Sequence, residues 1–518
     1  MKTITALLLS LCLLFGLSCA EGETLILLSE DTITVNGAPI SEDESSAVHL
    51  TSVVETHEDV PEALKGLANR VIVITSAGTY RISGTAADTQ IAVQAGDADD
   101  VRLILDGVDL SCRTNAAIGV YSAREPLTAG EYGVTIELAE GSENRISGSH
   151  NSAESDDEIE FDGALSSAVS LGFEGSGSLA ITADKEGVEV SGGHLTINGG
   201  SLHIEAGDDP LNVSEDGIGV LTMNDGYVYS SVLPAQGGEG DGIDSNGWIV
   251  FNGGTAINLA HPSSQDGGID SDMGSTINGG VIVGAGNMYD PIETDSQQLF
   301  MMLEFGQATN DLVVVTDEHD VPVFAYDFPH DYMYIAFSTP ELKEGTYHVY
   351  LGGEIEGEQT DGLYTSITSY VPGTPMQHGE GNAQQRAMGG FGGNMGEMPG
   401  AFGGQMPGGM AGFDRPFGGK LSPFADIDLN ELFADTDLNE LLSGKDLNSL
   451  LTGFPITDLL TEEQIHDLFG DVDPSSLQIP RGGFGGGMRG LQSSADIATT
   501  DFALSFSSTG FTNVRAAQ

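Results

Sequence analysis

The sequence predicts an all-β protein: a parallel β-helix solenoid, then a small antiparallel β domain, then a low-complexity tail. Three observations carry this reading. Four copies of one phrase, Leu195–Gly200, Leu221–Gly226, Ile249–Gly254 and Ser275–Gly280, set Asn198, Asn224, Asn252 and Asn278 at steps of 26, 28 and 26 residues. A second, acidic phrase recurs between them. Short runs of alternating apolar residues, bounded by Gly, Asn and Asp, flank the copies. Short strands and turns at such a period make coils that bury a continuous core only by stacking.

The chain has 518 residues, with 17 Lys+Arg against 78 Asp+Glu, a net charge of −61, and 72 glycines. A hydrophobic content of 39% suits a folded chain with an ample core. The acidity excludes nucleic acid and anionic membranes as partners, because both would be repelled. It favours cations and neutral ligands.

Residues 1–20 read as a secretory signal peptide: Lys2, an apolar stretch from Ala6 to Leu17, then Ser18-Cys19-Ala20 as a small-x-small cleavage site. An extracellular or cell-surface location follows. Cys19 offers the alternative of a lipidated first residue, although Gly16 and Leu17 fit a lipobox poorly. Processing leaves Cys112 alone, a small buried residue with no internal disulfide partner. No later apolar run is long enough for a transmembrane segment.

Residues 21–70 form an N-terminal extension and residues 71–290 the solenoid. Val71–Thr75, Thr79–Gly84, Val101–Gly107, Val134–Leu138 and Ser178–Thr182 are strands with Gly or Asp turns, and Ser152–Phe161 is a protruding loop. Stacking then places Leu195, Leu221 and Ile249 in one interior column, and Ile197, Met223, Phe251 and Ile277 in another. The repeated Asn forms a side-chain amide ladder, and the glycines admit positive φ.

The acidic phrase appears as Lys185–Glu189, Asp208–Asn212, Gly240–Asp244 and Asp266–Asp270. Aligned on Val188, Leu211, Ile243 and Ile269, it stacks Glu189, Asn212, Asp244 and Asp270 in one column. Glu186, Asp209 and Asp241 form a second column, with Gly267 vacant in the fourth coil. Neighbouring coils stand about 4.8 Å apart, so these carboxylates repel unless protonated or neutralised. Between Glu186 and Leu342 there are 25 acidic residues and no Lys or Arg. A hard divalent cation taking six to eight oxygens resolves this, and calcium suits a flexible carboxylate set. The metal candidates are therefore Glu186, Glu189, Asp208, Asp209, Asn212, Asp241, Asp244, Asp266 and Asp270. Gly237–Asp244 nearly matches the calcium nonapeptide, with Gly242 in place of its Asp.

At this point a resemblance enters. Ile74–Gly84, Val101–Asp109, Gly175–Leu179, the Asn-Gly-Gly rungs and Pro340–Tyr347 together resemble a clostridial-type family of extracellular carbohydrate-binding proteins, over roughly Val71–Gly353. The resemblance implies a right-handed β-helix similar to pectate lyases, bound calcium, and non-catalytic binding of a plant cell-wall polysaccharide, pectin- or cellulose-like. A calcium-dependent lyase would need a basic residue near the acids, and only Lys185 stands close. A hydrolase would need two carboxyl groups roughly 5–10 Å apart; Asp208-Asp209 offers a pair, but no Gly-His-Gly or Arg-x-Lys follows, and Gly193-His194 reads as an outward strand residue after a turn. No catalytic residue is assigned. A lyase, a hydrolase or a structural surface adhesin remain the alternatives. Strand parity turns Tyr227, Tyr229 and Trp248 outward, where they either stack on sugar rings or cover a neighbouring domain.

Residues 291–372 carry four strand-like runs of a small antiparallel β domain, suited to cap the last coil. Residues 373–425 are a Gly/Met/Pro-rich linker. Residues 426–476 hold Asp-Leu-Asn phrases at nine-residue steps, read as Asp-capped short amphipathic helices for docking a protein partner. Glu431 and Glu440 occupy the Gly position of an EF-hand loop, so that reading is set aside. Residues 477–518 are a second Gly-rich linker and a terminal strand, Phe502–Phe506.

Overall fold

The computed structural model describes residues 22–54, 64–126, 128–149, 161–235, 238–293, 295–378, 502–504 and 511–516. Among them every regular element is a strand. They form a mixed sheet of 25 strands and a second sheet of 8 strands. No helix of the described residues is long and apolar enough to cross a membrane. Residues 1–20, read as a signal peptide, most of Ser152–Phe161, most of the stretches read as Gly-rich linkers and the Asp-Leu-Asn phrases read as short helices lie outside the described residues.

From Ala68 to Gly286 the strands pair almost entirely in parallel, each with the equivalent strand one repeat away. The eight-stranded sheet runs through Ala68–Ile74, Thr89–Gln94, Ile118–Ser122, Gly163–Ser167, Glu186–Val190, Leu211–Val213 and Asp244–Ser245. The larger sheet holds two further ladders. The first contains Leu195–Ile197, Val220–Met223, Trp248–Phe251 and Gly274–Ile277. The second contains Ser201–Ala206, Tyr227–Val232, Thr255–Leu259 and Val281–Gly286. The chain visits the eight-stranded sheet, the first ladder and the second ladder in turn, then repeats.

Register follows the sequence phrases. Leu195 pairs with Leu221 and Leu221 with Ile249, while Ile197, Met223, Phe251 and Ile277 succeed one another two residues further along each strand. All of these side chains are buried in one continuous core. Cys112 is buried there too. Between the two ladders the asparagines join side chain to side chain: Asn224 donates to Asn198 at 2.7 Å, Asn252 to Asn224 at 2.8 Å and Asn278 to Asn252 at 2.9 Å. The glycine ending each phrase has positive φ, between 78° and 97° at Gly200, Gly226, Gly254 and Gly280. A Cβ at Gly226 or Gly254 would also lie 2.7 Å from the carbonyl oxygen of the glycine one coil earlier. Conformation and stacking both demand glycine there.

The first coil is covered by residues read above as an extension. Glu23–Leu28 pairs in parallel with Gly78–Ala86, so it adds a strand to the larger sheet, and Arg81 ties it down through Glu23 at 2.7 Å. Val48–Val54 closes the eight-stranded sheet antiparallel to Ala68–Ile74. Phe161, assigned to the protruding loop, is buried with its ring 4.6 Å from Tyr121. A loop of acids and serines gave no sign that its last residue re-enters the core.

Beyond Gly286 the pairing turns antiparallel, except between Phe300–Thr309 and Phe511–Ala516, which run parallel. Tyr332–Ser338 pairs with Val281–Gly286 and also with Phe300–Thr309. Val313–Asp317, Pro322–Tyr326 and the long hairpin Gly345–Thr360/Leu363–His378 complete this part. The hairpin carries the β domain past Gly373, because Thr374 and Pro375 pair with Leu351 and Tyr350. The domain has its own core, into which Ile257, Leu259, Val283 and Ala285 of the second ladder also pack. Two terminal strands return to it: Phe502–Leu504 pairs with Gly345–Tyr347, and Phe511–Ala516 pairs with Phe300–Thr309 and with Met376–His378.

Candidate metal centre

Strand parity builds the site. Val188 and Leu211 in the eight-stranded sheet, Ile243 just before its last strand and Ile269 one repeat later turn into the core, which sends the next residue of each to the other side. Glu189 pairs with Asn212 and Asn212 with Asp244. Asp270 continues the column, its N–H donating to the Ile243 carbonyl at 2.9 Å. The second column is threaded by backbone donors: the Asp241 N–H donates to Asp209 Oδ1 at 2.7 Å, and the Gly267 N–H to Asp241 Oδ1 at 2.6 Å. Asp266 accepts from the Gly240 N–H at 2.7 Å. All nine sequence candidates therefore lie along the same run of coils.

The columns converge most closely at one end. Asp241, Asp244 and Asp270 each present a carboxylate oxygen, and these atoms lie within 4.8 Å of one another. Burial first, then Asp270 and Asp209, pushes the Asp241 carboxyl up to about 10. Burial, then Asp272, raises Asp244 to about 7, and burial, then Asp290, raises Asp270 to about 8. Towards the other end, burial raises Glu186 and Asp209 well above the carboxylate range, with carboxylate neighbours adding to it. Burial also raises Glu189 to about 7 and lifts Asp208. The shared cause is desolvation of carboxylates among carboxylates, which favours their neutral forms.

The donor set fits a hard cation. Asn212 Nδ2 donates to Glu186 Oε1 at 2.9 Å, which leaves Glu186 Oε2 and Asn212 Oδ1 buried without a hydrogen-bond partner. Asp162 Oδ1 is buried and unpartnered as well, while its Oδ2 holds the Lys185 ammonium. Buried oxygens normally find donors. Three unpaired acceptors beside carboxylates are what an oxygen-seeking ion would satisfy. Lys185, the single base available to a lyase reading, is engaged by Asp162.

Two acids escaped the repeat analysis. Asp162 sits beside Glu189, whose Oε2 accepts the Asp162 N–H at 3.0 Å. Asp290 accepts the Ser271 N–H at 3.2 Å and adjoins Asp270. Both lie outside the repeating phrase, one just after the acidic loop and one on a shortened step marked by the Gly267–Met288 bridge. Gly242, where the calcium nonapeptide would have Asp, abuts backbone: a Cβ there would lie 2.6 Å from the Asn258 carbonyl carbon.

The aromatic candidates separate. Tyr227 and Tyr229 face out of the second ladder, as parity requires, but that direction leads to the C-terminal sheet. Tyr227 donates to Asp361 at 2.5 Å, Tyr229 stacks on His203 at 4.4 Å, and both pack on the C-terminal core. They cover the neighbouring domain. Trp248 is half-buried on the first ladder, between Val220 and Gly274. His194, expected to face outward, is buried, and its Nδ1 accepts the Val220 N–H at 3.2 Å.

Residues 68–298 match a family model. That model is described as carbohydrate-binding domain-containing protein, and its span covers the parallel ladders and every metal candidate. A curated relative with the same description, from Acetivibrio thermocellus, is 28% identical over 141 residues, 27% of this chain and 46% of the relative. The match thus spans less than half of that relative's length. A solved structure described as a polysaccharide lyase-like protein from C. thermocellum, in a gadolinium derivative, is 22% identical, covers 50% of this chain and 90% of its own, and has a TM-score of 0.36.

Proposed function

We propose that this chain is a secreted, non-catalytic carbohydrate-binding protein, a right-handed parallel β-helix that holds calcium and binds cell-wall polysaccharide. The family match over residues 68–298 carries the carbohydrate part, because it falls on the parallel ladders and the acid columns together. The turn-by-turn succession of three parallel ladders supports a β-helix, and right-handedness accords with the strong bias of parallel crossover connections. Residues 1–20 support export.

Calcium is supported by the convergence of Asp241, Asp244 and Asp270 and by the unpartnered oxygens of Glu186 and Asn212. When bound, the ion would neutralise the columns and give an acidic sugar a positive contact that the chain itself withholds. The protein's own groups orient the ligand oxygens: the Asp241 and Gly267 N–H groups fix Asp209 and Asp241, and Asn212 fixes Glu186.

A glycan array probed with and without calcium tests the reading. Retention of plant polysaccharides, with acidic ones lost on chelation, is the expected outcome. An array with no glycan bound in either condition would leave an adhesin. Release of reducing ends or unsaturated uronides from pectin would make it an enzyme.

A further inference from the structure

The geometry of the first ladder points to a second polysaccharide contact that needs no metal, on its outer face between Tyr132 and Trp248. This rests on the carbohydrate-binding reading and deepens it. The family match over residues 68–298 includes this face. Its strands belong to the larger sheet, whereas the acid columns run along the eight-stranded one.

Leu171–Gly175 is the preceding rung of the ladder, with Gly172 opposite Thr196. Leu171 and Phe173 are buried in the core, so Gly172 faces outward. A Cβ at Gly172 would stand 2.4 Å from Cε2 and Cζ of Tyr132 and 2.5 Å from Cε1. Near-equal distances to three ring atoms place that point over the ring centre, and side chains leave a sheet roughly at right angles. The Tyr132 ring therefore lies flat on the sheet, in space that only a glycine leaves. It is fixed there: Arg124 donates to the Tyr132 carbonyl at 2.9 Å, the Tyr132 hydroxyl donates to Glu174, and Asn198 Nδ2 donates to that hydroxyl at 3.1 Å. One face of the half-buried ring covers the sheet and the other looks outward.

The same face carries the rest of a linear site. Trp248 stands three coils later, turned outward because Ile249 points into the core. Three coil steps put it about 14 Å from the Tyr132 rung. Beside them runs the exposed amide ladder, joined to the Tyr132 hydroxyl through Asn198. Asn224 and Asn252 each spend one amide hydrogen and one lone pair on neighbours. An amide has two of each, so a donor and an acceptor remain for a ligand. Aromatic faces take the C–H faces of a pyranose, and amides take its hydroxyls. Two rings linked by a row of amides suit an extended chain rather than a single sugar. Arg102 already donates to Glu137 at 2.6 Å and to Glu174 at 2.9 Å. Two carboxylates against one guanidinium favour uncharged sugars.

Trp248 is the chain's one tryptophan, so its fluorescence reports on this face directly. The test titrates the full chain, in chelator, with cellohexaose, cellobiose and hexagalacturonate, for wild type, Tyr132→Ala, Tyr132→Phe and Gly172→Ala. Support requires that cellohexaose shifts the wild-type fluorescence saturably, and binds more tightly than cellobiose, which is too short to reach both rings. Tyr132→Ala and Gly172→Ala should each weaken cellohexaose about tenfold, the scale of one stacked aromatic, at unchanged calcium affinity. Tyr132→Phe keeps the ring and should stay near wild type. Gly172→Ala keeps the tyrosine but lifts it off the sheet, so it decides the outcome if Tyr132→Ala does not fold. Alanine variants that bind like wild type, or cellohexaose bound with no change at Trp248, overturn the site and leave the carbohydrate reading intact. Equal affinity for cellobiose overturns the linear site. Cellohexaose binding that needs calcium overturns its metal independence, and preference for hexagalacturonate in chelator overturns the uncharged-sugar assignment. A wild type that binds neither these probes nor any glycan on the array overturns the function and the site together.

Discussion

A carboxylate buried among carboxylates exists either protonated or beside a cation, and Asp241 is a residue where the two states part widely. Its carboxyl, raised to about 10, is neutral at pH 7 unless an ion compensates it. Asp241→Asn keeps an oxygen for the Gly267 N–H and removes the charge. In chelator it should leave the melting temperature unchanged or higher; in calcium it should cost affinity about tenfold or more and shrink the stabilisation that calcium gives. A variant that melts lower in chelator and keeps its calcium affinity would show that Asp241 is a structural acid only. The pH dependence has a definite sign. Asp241, Asp244 and Asp270 titrate at about 10, 7 and 8 when folded and near 4 when unfolded, so the folded state holds more protons through that window. Stability without calcium is then full below about pH 4 and declines as pH rises through 7 to 10. Metal-free protein should melt roughly 5 °C or more higher at pH 5 than at pH 8. With calcium the acids must be ionised, so acidification should release the ion. Calorimetry at the two pH values, with and without chelator, reads both trends.

At the level of the element, two kinds of repeat stabilise the stack differently. The apolar columns are enclosed on all sides, and Phe251 fills its place between Met223 and Ile277. Phe251→Ala should cost about 3–5 kcal/mol, through lost burial and the cavity left behind. The amide ladder is exposed, and Asn252→Ala removes one bond given to Asn224 and one taken from Asn278, which together are worth about 1–2 kcal/mol. Denaturant unfolding should rank the two variants in that order; equal costs would mean that the ladder rather than the core fixes the coil spacing. The same contrast explains what was readable beforehand. Leu195, Asn198 and Glu189 recur at a period, and a period becomes a column as soon as coils stack. Asp162 and Asp290 belong to no repeat, and their places depend on how an irregular loop and a shortened step return to the stack. The fate of Tyr227 and Tyr229 was similarly out of reach, because parity gives a direction and not what lies there.

Across the whole molecule the open ends of the parallel ladders are closed by chain from both sides. Glu23–Leu28 covers the first coil, and the antiparallel strands pair with the exposed edge of Val281–Gly286. Without the latter, Ile257, Leu259, Val283 and Ala285 would lose the core they share. A chain ending at residue 290 should therefore associate through that edge and apolar face. Size-exclusion chromatography would show aggregates for the truncated chain where the full chain elutes as a discrete species; a well-behaved short chain would mean that the coils seal themselves.

The closing strands also decide what a backbone cut can do. Leu363–His378 lies in the sheet, and Phe502–Leu504 and Phe511–Ala516 pair into the same sheet, the last with Met376–His378. The described strands on either side of residues 379–501 thus belong to one sheet. A protease site placed at Lys420 would turn the protein into a two-piece assembly held, among the described residues, by these strand pairs. After cleavage the pieces should travel together on a native gel and separate only in detergent. Shedding of the C-terminal piece under native conditions would mean that the covalent link, and not the sheet, keeps it in place.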